Sequence, residues 1–136
     1  MSDEKQNIKG KKIIIVEDDN VVSRAFSDIL IQENFRVDIA NDGIEASEKI
    51  KSDKPDLVLL DLILPEKNGF EILEEMHKDE ALKNIPVIIL TKLGEESKMQ
   101  RGKELGAVDY LIKTDVYLKD VISKIRFYLD KSNSKN

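Results

Sequence analysis

The chain has no cysteine in its 136 residues. A disulfide framework, a zinc-thiolate site and a thiol nucleophile are thereby excluded. It has no long apolar run either. Met1 to Asn7 are polar, and nothing after them reads as a secretory leader or a membrane-spanning helix. A soluble, cytoplasmic protein without membrane insertion is the expectation. Basic residues are not in excess: the formal net charge is -5 and the charges are scattered, so the footprint of a direct nucleic-acid binder is missing. No GxxxxGK[ST] or GxGxxG segment occurs, so the chain has no nucleotide cradle of its own.

What is present is an alternation of short apolar runs and helical patterns. Leu57–Leu60 lacks helical spacing and reads as a strand buried on both faces, Lys12–Val16 as a buried strand, Pro86–Leu90 as a fourth apolar strand and Ala107–Ile112 as a fifth. Phe35–Ile39 alternates apolar and polar residues, as an edge strand does. Between the strands lie helical stretches. The first carries Val22, Phe26, Ile29 and Leu30, with Asp19 or Asn20 as N-cap. The second follows Asn41-Asp42-Gly43, with Ile44 and Ile50 inward, and the third carries Phe70, Leu73 and Met76 and ends before Asn84. A fourth, Glu95 to Leu105, is weak because Gly102 lies inside it. The last is strongly amphipathic through Leu129, with Asp115 as N-cap. Five strands alternating with five helices predict one doubly wound α/β domain, a five-stranded parallel sheet with helices on both faces, flavodoxin-like in plan. The expected boundaries are a polar N-terminal tail over 1–10, the domain over 11–130 and a polar C-terminal tail over 131–136.

Four of the strands end on reactive side chains. The first runs into Glu17-Asp18-Asp19, the third into Asp61, the fourth into Thr91 and the fifth into Lys113. In an open parallel sheet these carboxyl ends form the ligand-binding edge. Carboxylates at that density repel one another unless a cation joins them. Oxygen donors suit a hard cation such as Mg²⁺ or Mn²⁺. A hydroxyl and an ammonium beside a carboxylate can hold the oxygens of a phosphoryl group, and the carboxylate can itself be the nucleophile that forms an acyl phosphate. Each residue also has a plainer reading: Asp61 as a turn cap, Asp19 as a helix cap, Thr91 as a strand-end hydroxyl and Lys113 as a snorkelling surface lysine. Their coincidence on one edge favours the chemical reading. His77, the only histidine, lies on the third helix away from that edge and reads as structural.

In these residues the chain resembles the receiver domains of two-component response regulators, from Lys11 to about Leu129. The resemblance is carried by Ile13 to Asp19, by Asp61-Leu62-Ile63-Leu64-Pro65 with Asn68-Gly69, by Val87 to Thr91, and by Gly106 to Lys113. It implies that Asp61 accepts a phosphoryl group from a sensor histidine kinase or a histidine phosphotransfer protein. Asp18, Glu17, Asp61 and the backbone carbonyl of Ile63 would hold the metal. Thr91 and Lys113 would contact the phosphoryl group, and Thr91 and Tyr110 would act as the switch pair. The protein would be no enzyme beyond making and losing its own aspartyl phosphate. As a stand-alone receiver it would signal through a downstream protein, by way of the fourth helix, fifth strand and last helix. Two positions depart from the family pattern: Lys92 follows Thr91 where a small residue is usual, and Thr114 follows Lys113 where proline is usual.

The alternatives are a degenerate receiver that binds partners without phosphorylation and a phosphatase of the haloacid-dehalogenase type. The second needs an acid two residues after the nucleophile, where this chain has Ile63. A flavodoxin-like cofactor binder ranks below both, because the acidic edge would repel a phosphate lacking a metal.

Overall fold

The computed structural model describes residues 8–134. Its five strands are β1 (Lys12–Val16), β2 (Arg36–Ala40), β3 (Leu57–Leu60), β4 (Val87–Thr91) and β5 (Asp109–Ile112). The helices are α1 (Asn20–Gln32), α2 (Gly43–Asp53), α3 (Gly69–Lys78), α4 (Glu96–Glu104) and α5 (Leu118–Ser134). All strand pairs are parallel, in the order β2-β1-β3-β4-β5. The doubly wound five-stranded sheet is therefore as the alternation predicts, with β2 at an edge.

The strand sequences divide the core into two layers, because successive side chains point to opposite faces. Ile14, Val16, Val58, Leu60 and Ile89 pack with Ile50 of α2, with Phe70, Leu73 and Met76 of α3, and with Tyr110. Ile13, Ile15, Leu57, Leu59, Ile88 and Leu90 pack with Leu30 of α1 and with Val121, Ile125 and Leu129 of α5. Burying each of these large side chains stabilises the fold by about 1.5–3 kcal/mol relative to leaving it in water.

Several boundaries differ from expectation. Ile8, assigned to a polar tail, is 3% exposed and packs in the layer beneath α1 and α5, and Gly10 N–H donates to the Asn34 carbonyl at 2.8 Å. One apolar residue amid polar neighbours has no period by which to be recognised. Residues 1–7 of that tail, and 135–136 of the other, lie outside the described residues. The C-terminal tail is shorter than expected too: α5 runs on to Ser134, since a helix already docked along one face extends at little cost. Ile44 faces outward, 49% exposed, while Ala46 and Ser47 fill the inner face of α2. α3 ends before Asn84 as expected, at Lys78, where Asp79 takes an extended conformation and its side chain accepts from Ala81 N–H at 2.8 Å. β5 begins at Asp109, two residues later than the apolar run suggests. Asp115 precedes α5 by too much to cap it. Its N–H instead closes a turn onto the Ile112 carbonyl at 2.9 Å.

Candidate phosphoacceptor and metal site

Strand register brings the predicted side chains together. Val16 pairs with Leu60, so Glu17 and Asp61 leave neighbouring strands side by side, and Asp61 N–H donates to the Val16 carbonyl at 3.0 Å. Leu60 pairs with Ile89, which places Thr91 beside them on β4. Thr91 pairs in turn with Ile112, and Lys113 N–H donates to the Thr91 carbonyl at 2.8 Å. The acidic turn after β1 is held from the other side by Asn41, whose amide donates to the Glu17 carbonyl and to Asn20 Oδ1, both at 3.1 Å. In the sequence Asn41 is legible only as a residue leading into the second helix. Its place beside the β1 edge follows from β2 pairing with β1, which no local pattern discloses.

At the centre, Lys113 Nζ donates to Asp61 Oδ2 at 2.8 Å and makes a short ion pair with Glu17. Asp61 is 6% and Glu17 4% exposed, whereas Asp18 is exposed. One carboxylate oxygen from each of Glu17, Asp18 and Asp61 lies within 4.8 Å of the others. The second Asp61 oxygen accepts from Ile63 N–H at 3.1 Å, which fixes the start of the loop after β3. Asp19 is a helix cap, its carboxylate accepting from Val21 and Val22 N–H at 2.9 and 3.2 Å.

The electrostatics follow from burying two acids beside one base. Burial pushes the Glu17 carboxyl above its ordinary range, against the hydrogen bonds from Lys113 and Asp19 N–H. For Lys113, burial pulls the ammonium down, but the hydrogen bonds to Asp61 and Glu17 outweigh it and the pKa rises. Lys113 is therefore held as a cation. Thr91 is fully buried, and among the described residues its Oγ1 is the one buried side-chain polar atom without a hydrogen-bond partner. Such a group ordinarily costs about 1–3 kcal/mol. A hydroxyl left unpaired beside a carboxylate and an ammonium fits an oxyanion ligand, and the three acidic groups fit a divalent cation.

Tyr110 is buried at 6% exposure, and its hydroxyl donates to the Leu93 carbonyl at 2.5 Å. Burial, then the charges of Glu95 and Asp61, push its pKa up. Lys92 is exposed. The Lys113–Thr114 peptide is trans, with the Thr114 hydroxyl donating to Asp115 at 3.1 Å. Ile63 is 51% exposed, and His77 lies on the outer side of α3.

A family model described as "Response regulator receiver domain" matches residues 13–126. The chain belongs to that family: it is a receiver domain of two-component response regulators. Among curated relatives it is 37% identical over 126 residues to a "Probable transcriptional regulator ycf29" of Porphyra purpurea, covering 91% of this chain and 60% of that protein. It is 38% identical over 123 residues to the "Transcriptional regulatory protein CpxR homolog" of Haemophilus influenzae, covering 90% of this chain and 52% of that one. The chain thus spans little more than half the length of these relatives. Among solved structures, the response regulator receiver domain protein of Methanospirillum hungatei JF-1 superposes with a TM-score of 0.87 at 30% identity, covering 94% of this chain and all of that one (100%). The Mn(2+)-bound form of response regulator Rcp1 superposes at 0.74 with 32% identity, covering 86% and 90%.

Proposed function

We propose that the chain is a phosphorylation switch in which Asp61 accepts a phosphoryl group from a phosphohistidine on a sensor kinase or histidine phosphotransfer protein. The observation that carries this reading is the buried Asp61 carboxylate, paired with Lys113 at 2.8 Å beside the unpartnered Thr91 hydroxyl. An Asp61 oxygen attacks phosphorus, the phosphorus–nitrogen bond of the donor breaks, and the imidazole leaves with the bonding electrons. Lys113 pairs with the phosphoryl oxygens as their charge grows, and Thr91 Oγ1 donates to one of them. Glu17, Asp18, Asp61 and the Ile63 carbonyl would hold Mg²⁺ or Mn²⁺. Bound there, the cation neutralises charge on the phosphoryl oxygens and on the acidic cluster itself. The Mn(2+)-bound relative supports that choice of ion.

The chemistry stops at the protein's own acyl phosphate. A phosphatase of the haloacid-dehalogenase type would need an acid where Ile63 stands, half in solvent and apolar. A degenerate receiver would not need Asp61, Thr91, Lys113 and the acidic cluster together. Phosphorylation draws Thr91 toward the new group and is read out at Tyr110 and the α4–β5–α5 surface by a partner protein, with no direct nucleic-acid contact from this domain. No helix among the described residues is long and apolar enough to cross a membrane. The donor would be met in the cytoplasm.

Intact-mass measurement after incubation with Mg²⁺ and acetyl phosphate tests this reading. Wild type should gain one phosphoryl group and Asp61→Asn none. Equal incorporation in the two, or none in wild type, would overturn it.

A further inference from the structure

The loop from Asp61 to Gly69 joins β3 to α3 and carries Ile63. Lys67, near its end, reaches back between two helices. Its ammonium forms a short ion pair with Glu75 of α3 and donates to Ser47 Oγ of α2 at 3.1 Å. Ser47 in turn donates to the other Glu75 oxygen at 2.9 Å, so the three side chains close a ring of mutual hydrogen bonds. Ser47 is among the few buried polar residues in the described part of the chain. Burial works against ionised Glu75, but the hydrogen bonds from Lys67 and Ser47 prevail and hold its pKa below the ordinary value.

The backbone is clamped at the same point. Gly43 N–H donates to the Pro65 carbonyl at 3.2 Å, and a Cβ on Gly43 would stand 1.8 Å from the Lys67 carbonyl oxygen, so the loop lies directly on the first turn of α2. Between these contacts Glu66 adopts φ +72°, a conformation that side-chain-bearing residues seldom take without support. At the far end Gly69 N–H donates to the Leu62 carbonyl at 3.1 Å, and a Cβ there would stand 2.6 Å from the Asp61 carbonyl. The ring is thus a side-chain clasp on a loop whose other end begins at the acceptor.

We infer that Lys67, Ser47 and Glu75 are positioning residues for the divalent-cation site, holding in one preformed arrangement the loop that supplies Asp61 and the Ile63 carbonyl. The inference rests on the metal assignment proposed above. Outer contacts that orient ligands commonly govern cation affinity about 10–100-fold, and a clasp one step farther out should act at or below the lower end of that range.

The sign of the effect separates positioning from simple electrostatics. Lys67→Met removes a positive charge, which by itself would tighten binding of a cation to an acidic site. Loss of positioning would weaken it. Ser47→Ala changes no charge, and Lys67→Arg keeps a cation able to pair with Glu75. Mn²⁺ affinity of the full chain, read by electron paramagnetic resonance of free Mn²⁺, should fall about three- to tenfold in Lys67→Met and in Ser47→Ala, and recover at least in part in Lys67→Arg. Phosphorylation by acetyl phosphate should slow in the two weakened variants at low Mg²⁺ and return to the wild-type rate at saturating Mg²⁺. Circular dichroism would establish whether each variant is folded, and the milder Ser47→Ala keeps the test open should Lys67→Met not be. Wild-type or tighter Mn²⁺ binding in both folded variants overturns the inference while leaving the site assignment standing. If wild type and Asp18→Asn bind Mn²⁺ equally weakly, the site assignment falls and this inference with it.

Discussion

α3 and α4 occupy equivalent places, each following a strand that delivers a site residue, yet they are built in opposite ways. α3 buries Gly69, Phe70, Ile72, Leu73 and Met76, and it opens on a reciprocal cap in which Asn68 Oδ1 accepts from Glu71 N–H and Glu71 accepts from Asn68 N–H. α4 buries only Gly102, and Glu95 at its N-cap makes no side-chain bond. A Cβ on Gly102 would stand 2.7 Å from Ile89 Cδ1 and 3.2 Å from Tyr110 Cδ2, so the helix approaches the sheet by having no side chain there. Few buried contacts and an unsupported terminus mark the element that opens at low cost. The Asp61 side of the edge is thus backed by a well-packed helix, and the side bearing Thr91 and Tyr110 by a thinly packed one, an asymmetry that suits the proposed switch. Arg101 of α4, stacked over Phe70 of α3 at 4.5 Å, joins the two.

The contrast can be broken first in the core. Leu73→Ala removes a side chain 2% exposed and should destabilise the protein by about 2–5 kcal/mol, measured by urea unfolding. Met99→Ala on α4, where the side chain is only partly buried, should cost about 1 kcal/mol or less. Similar losses at the two positions would remove the asymmetry.

The caps give a smaller effect of opposite sign. Asn68→Ala should cost about 1 kcal/mol through loss of the α3 cap. Glu95 has the extended backbone of a capping residue, φ -68° and ψ 136°, with no side-chain bond. Glu95→Ser should therefore stabilise α4 by about 0.5–1 kcal/mol and slow exchange of its first-turn amides. A destabilised Glu95→Ser would show that the terminus is satisfied in another way.

The smallest effect is a pH dependence at the Lys67–Ser47–Glu75 ring. Burial pushes the Glu75 carboxyl up, the hydrogen bonds from Lys67 and Ser47 pull it down, and the result lies below its ordinary value of 4.5. A depressed carboxyl contributes stability that is complete above the unfolded value and is lost as pH falls through the folded one. The stability difference between wild type and Glu75→Gln should therefore be constant above about pH 5 and shrink below 4.5. A difference that grew on acidification would place the shift in the wrong direction.

Much of this was legible in the sequence, for identifiable reasons. Four apolar runs without helical period specified strands, and each ended on or ran into a polar side chain: Glu17, Asp61, Thr91, Lys113. Register then had to gather them on one edge, and it does. The weak α4 showed in its sparse apolar positions and in Gly102. Ile8 and Ile44 were misplaced because a lone apolar residue carries no period. The clasp was invisible for another reason: Ser47, Lys67 and Glu75 are ordinary surface residue types, drawn together only when α2 and α3 pack side by side. Likewise the close approach of Gly43 and Gly69 to the backbone of the loop is a tertiary fact that no local pattern shows.

Hydrogen exchange on the Mg²⁺-loaded chain, with and without beryllofluoride as a phosphoryl mimic at Asp61, tests the division of labour most directly. Protection should change from the end of β4 through α4, β5 and the start of α5, centred on Leu93 and Tyr110, while α3 keeps its exchange rates. Changes confined to α1 and α2, or larger in α3 than in α4, would contradict the account.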